Sequence, residues 1–111
     1  MSIDLAAFEP AVHRFADAWA TCGAVWTVKP IDPNHGKALT LAEFDSDSWL
    51  ASVILWETGE LDLDAGRKVD GWLVAKHFDL KTPDELDGVL DELLSLLRDG
   101  AVPSQAFTSW I

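Results

Sequence analysis

The stretch WLASVILWETGELDLDA, residues 49–65, decides the fold. Its first half, Trp49–Glu57, is apolar on both alternating faces, as a central strand is. Its second half, Glu60–Ala65, alternates acids with apolar residues, the pattern of a half-buried strand. Thr58-Gly59 lies between them, and glycine accepts the positive φ of a tight hairpin. With a two-residue turn, Leu50, Ile54, Trp56, Leu61 and Leu63 share one face, which is expected to be core. The other face then carries Trp49, Val53, Leu55, Glu57, Glu60, Asp62 and Asp64. Apolar anchors rimmed by acids suit a protein interface, so these seven are the candidate partner-binding residues. The plainer reading is that a helix covers the apolar part and the acids are only solvated. A longer turn would shift the register and undo the assignment.

Outward from the hairpin, the chain reads as helix, strands, helix and tail. Pro10 suits the start of a helix, where its missing N–H costs nothing, so the first helix is expected from Glu9–Pro10 to Thr21 with Gly23 as its stop. Val12, Phe15, Ala16 and Trp19 form its apolar stripe. The segment Ile3–Phe8 is either a preceding helical turn or an extended lead-in. Ala24–Lys29 reads as a strand, Pro30–Gly36 as a loop, and Lys37–Phe44 as a second strand. Asp45-Ser46-Asp47 is a polar turn. Gly71–Leu80 supplies a further strand. Thr82-Pro83-Asp84-Glu85 is a capping-box opening for the last helix, with Leu86, Val89, Leu90, Leu93, Leu94 and Leu97 as its stripe and Gly100 as its end. The tail keeps Val102, Phe107, Trp110 and Ile111 and is expected to dock on the body. The fold class is α+β: a mostly antiparallel sheet of four or five strands packed with an N-terminal and a C-terminal helix, one domain over residues 1–111.

Charge narrows the partners. Nineteen acids against eight bases give a formal charge of −11 in 111 residues. Such a surface repels nucleic-acid backbones and anionic membranes and attracts a basic protein. Acidity also serves solubility alone, and that is its commonest meaning. No apolar run is long enough to span a bilayer. The start of the chain lacks the pattern of a signal peptide. Cys22 is the one cysteine, so no internal disulfide forms, and a reducing cytoplasm is the expected location.

Signals for chemistry are weak. The chain has no nucleophile elbow and no phosphate-binding glycine loop. Cys22 falls at a helix C-terminus, where the dipole disfavours a thiolate. His13 and Asp17 share a helical face, as solvated pairs commonly do. His35 lies in a loop, and His77 on a strand with no single partner. Asp62-Leu63-Asp64 resembles a metal-binding pattern, but strand alternation explains it fully. Glu57 and Glu60 flank the turn, where exposure outweighs any burial that could split their pKa values. No catalytic residue, metal ligand or cofactor site is assigned.

Val53-Ile54-Leu55-Trp56-Glu57-Thr58-Gly59-Glu60-Leu61-Asp62-Leu63, then His77-Phe78-Asp79-Leu80, then Thr82-Pro83-Asp84-Glu85-Leu86 together resemble the TriTu-type immunity proteins of bacterial polymorphic toxin systems. The resemblance covers less than half of the chain and leaves the part up to Asp47 unmatched. It implies a protein that is not an enzyme and that binds and blocks a cognate toxin domain in the cytoplasm, by steric and electrostatic occlusion. It carries over no contact residue. A small acidic secretion or folding chaperone is the alternative, and a small-ligand-binding domain or enzyme comes third. Whether the protein is a monomer or a dimer does not follow from the sequence.

Overall fold

The structure is a computed structural model and describes residues 3–31 and 36–110. Six strands form one antiparallel sheet in sequence order: β1 (Val25–Ile31), β2 (Leu39–Asp45), β3 (Trp49–Trp56), β4 (Glu60–Arg67), β5 (Trp72–Asp79) and β6 (Phe107–Trp110). The α+β class is as expected, and the strand number rises from the expected five at most to six. The additional strand is the tail, which docks by pairing with β5 (Trp72 opposite Trp110). The loop expected at Pro30–Gly36 lies partly outside the described residues. Its first two residues, Pro30 and Ile31, extend β1.

The expected N-terminal helix is divided. A 3-10 turn (Leu5–Ala7) leads into α1 (Phe8–Arg14), and α2 (Ala16–Thr21) follows after a break at Phe15. The Val12 carbonyl accepts both the Phe15 N–H (3.1 Å) and the Trp19 indole N–H (3.0 Å). That buried indole therefore finds its partner at the break. Pro10 is the third residue of α1 and not its first, still within the first turn, where backbone N–H groups have no acceptor inside the helix. The last helix, α3 (Leu86–Asp99), begins as its sequence indicated. Thr82 and Glu85 form a capping box around the 3-10 turn Pro83–Glu85, and Gly100 ends α3 in the left-handed conformation.

All three helices lie on one side of the sheet. Trp19 packs against Phe44 of β2, with ring centroids 4.8 Å apart and planes inclined at 53°. Phe8, Val12, Leu86, Leu90 and Leu93 are fully buried together with Val53, Leu55, Leu61 and Leu63 from the sheet. Each such side chain contributes about 1.5–3 kcal/mol by leaving water, so the covered face is fixed by many residues at once.

The hairpin turn decides which face that is. The connection from β3 to β4 is Glu57-Thr58-Gly59, three residues, so Leu55 pairs with Leu61 and Val53 with Leu63. Gly59 has φ +94°, and its N–H donates to the Trp56 carbonyl at 2.9 Å. The Glu57 backbone is tied on both sides, donating to Ala38 and accepting from Ile3. This one added residue moves every side chain of β3 to the face opposite the expected one. Trp49, Val53 and Leu55 are buried beside Leu61 and Leu63, while Leu50, Ile54 and Trp56 point the other way.

The open face of the sheet

No helix among the described residues covers the second face of the sheet. The register lines up four rows across it. Val25, Asp45, Leu50, Gly66, Leu73 and Ser109 make the first. Thr27, Glu43, Ser52, Asp64, Ala75 and Phe107 make the second. Lys29, Leu41, Ile54, Asp62 and His77 make the third, and Ile31, Leu39, Trp56, Glu60 and Asp79 lie along the fourth. Apolar residues on this face stay in water: Leu50 is 55% exposed and Phe107 70%. Strand alternation explains why each row mixes apolar and acidic residues, because β4 offers only acids and a glycine on this side.

The seven candidate residues separate between the two faces. Trp49, Val53 and Leu55 form part of the core, and a buried side chain offers a partner nothing in this fold. Glu60, Asp62 and Asp64 do lie together on the open face. Glu57 sits half-buried in the turn. The residues that join the acids there are Leu50, Ile54 and Trp56, expected in the core, together with Glu43, Leu73, Ala75, His77 and Phe107. The alternation of Leu73, Ala75, His77 and Asp79 on β5 was a usable signal for their shared side. Phe107 carried none, because Pro103 and Gln105 beside it read as tail.

Most charges of this face are matched. Glu60 accepts from the Lys37 ammonium at 2.7 Å and from the Thr58 hydroxyl, and Lys37 also lies 5.5 Å over the Trp56 ring. The Lys37 contact first, then Thr58, holds the Glu60 carboxyl below its ordinary value. His77 spans two acids, with Nδ1 2.8 Å from Asp62 and Nε2 3.1 Å from Asp79. A ring protonated at both nitrogens donates to both, so Asp62 and then Asp79 raise the His77 pKa. Asp45 pairs with Lys68.

Asp64 and Glu43 differ. Neither has a cationic partner among the described residues. The Asp64 carboxyl is pushed up, first by desolvation and second by the Asp62 charge. Both line a shallow depression of about 410 Å³ whose other walls include Leu50, Gly66, Leu73 and Phe107.

Little here supports catalysis. His77 uses both ring nitrogens on carboxylates, which leaves neither free as a base. Glu60, His77 and Asp79 place one ligand atom each within 4.8 Å of one another. Lys37 already supplies positive charge to that cluster through Glu60. Cys22 is half-buried, and its thiol donates to the Trp19 carbonyl at 3.3 Å. No helix among the described residues is long and apolar enough to cross a membrane.

No curated protein and no solved structure matches the chain. A family model does, the one described as immunity protein TriTu, over residues 24–96. That span runs from the start of β1 through most of α3 and includes the hairpin, His77 and the capping box. It reaches well beyond the residues that first suggested the likeness and covers more than half of the sequence: the chain belongs to the TriTu family of immunity proteins.

Proposed function

We propose that this immunity protein neutralises a cognate toxin by binding it on the open face of the sheet. The observation that carries the reading is that face itself: a six-stranded surface of alternating apolar and acidic residues with no helix of the described residues over it. Six strands spaced ~4.8 Å apart give a width of about 24 Å, and seven residues give a length of about 23 Å. A standard interface needs about 800 Å² of accessible surface from each partner, and a face of this size can supply it. Leu50, Ile54 and Trp56 would act as anchors, and the acids around them as a rim. The overall charge of −11 favours a basic partner and fast, steered encounter.

Occlusion needs no chemistry from the immunity protein, and the absorbed state of His77 fits a role without catalysis. The producing cell's cytoplasm is where such protection would be needed. The test is co-expression. The toxin domain alone should stop growth, and the immunity protein should restore it and co-purify with the folded toxin in one-to-one ratio. A complex formed only with the unfolded toxin chain would favour the chaperone reading instead.

A further inference from the structure

We propose that the depression over β4, walled by β3, β5 and β6, is a socket for an arginine side chain of the bound protein, with Asp64 as its counter-charge, Phe107 as a stacking wall and Glu43 adding negative charge from the far side. The proposal rests on the reading of the open face as the binding face and names the chemistry of one contact within it.

The charge pairing singles out this spot. On the open face Asp45 and Glu60 pair with lysines and Asp62 and Asp79 with the His77 ring, and the two acids with no basic partner among the described residues both line the depression. Register puts Glu43, Ser52, Asp64, Ala75 and Phe107 in a single row. Asp64 therefore lies about 10 Å from the strand of each flanking group, two strand spacings either way. A guanidinium over Ser52 or Ala75 reaches Asp64 and one neighbour at once.

The depth has a cause in the sequence. In the adjoining row Gly66 stands between Leu50 and Leu73, and it has no side chain to fill the space. A glycine inside a strand often marks close approach by another group. The methylene stem of an arginine would lie on Leu50 and Leu73, while its planar head, over Ala75, meets the Asp64 carboxylate and the Phe107 ring. Phe107 is free to receive it, being largely exposed. Desolvation and the neighbouring Asp62 raise the Asp64 pKa, and an arriving cation would reverse that effect.

The test uses the intact protein and small probes in place of the toxin. N-acetyl-arginine methylamide, its citrulline counterpart and its lysine counterpart are titrated while amide signals are followed by NMR. The arginine probe should shift Ser52, Asp64, Ala75 and Phe107 saturably, with about fivefold or greater preference over the uncharged citrulline probe. Asp64→Asn should weaken that response by a similar factor, and Gly66→Val should block it by filling the floor. Gly66 has ordinary φ, and an added Cβ would meet only the Leu73 side chain at 3.6 Å, so the fold should tolerate a side chain there. Equal response to citrulline, no response, or a response untouched by Asp64→Asn would overturn the socket. Lysine binding as well as arginine would overturn the guanidinium assignment. Because no toxin is present, failure here leaves the occlusion reading standing. Failed growth rescue with a successful titration would separate the two the other way.

Discussion

At Gly59 an added Cβ would lie 2.2 Å from the Leu80 carbonyl oxygen, in a backbone held at φ +94°. Gly59→Ala should therefore lose about 2–3 kcal/mol or more in urea unfolding, from strain and clash combined. Gly23 offers the contrast. Its φ is +77° but nothing lies within 4 Å, so Gly23→Ala should lose only about 1 kcal/mol. Equal losses at the two positions would show that the Leu80 contact does not matter. His77 makes a prediction about pH. Its folded pKa is raised above the ordinary 6.5 by Asp62 and Asp79. The stabilisation is complete below the unfolded value, near pH 6.5, and disappears as pH rises through the higher folded value. His77→Gln should thus lower the melting midpoint near pH 6 and change it little near pH 9; the opposite order would mean that the carboxylates do not hold the charged ring. The identity of Gly59 as the turn glycine was readable in the sequence. The length of its turn was not, because the ties from Glu57 to Ile3 and Ala38 join residues far apart in the chain.

The elements differ in how far local sequence determines them. Helix α3 is specified locally by its apolar stripe, all of whose members are buried together with Leu96, and by its capping box. Glu85→Ala removes the carboxylate that accepts the Thr82 N–H at 2.9 Å and should lower the midpoint in chemical denaturation slightly. No change would mean that the 3-10 turn is held by Pro83 and packing alone. The division of α1 from α2 was not legible, since the apolar stripe continues through Phe15 without interruption. It depends on where the Trp19 indole finds an acceptor. Strand β6 was not legible for a related reason: four residues cannot show a period, and its pairing with β5 spans more than thirty residues of chain. For β3 and β4 the elements were evident but the register was not, so Glu60, Asp62 and Asp64 share the open face while the apolar residues beside them are Leu50, Ile54 and Trp56 instead of Trp49, Val53 and Leu55.

For the molecule as a whole, one side of the sheet carries the helices and the other carries exposed apolar residues among acids. Charge reversal at Asp62 and Asp64 together, to lysine, should leave the fold intact, since both point to solvent from a paired strand. It should slow association with a basic toxin about tenfold at low salt and by less at high salt, because steering is screened. Unfolding of that variant would mean that the acids are structural. The most direct test of the central claim compares two patches by calorimetric titration with the purified toxin domain. Leu50→Arg places a charge on the open face, and Asp91→Arg places one on the outward side of α3. Leu50→Arg should weaken binding by about a hundredfold or more, as loss of an interface anchor does, while Asp91→Arg should change it by no more than about threefold. Full affinity in Leu50→Arg with loss in Asp91→Arg would place the toxin on the helices and contradict the claim.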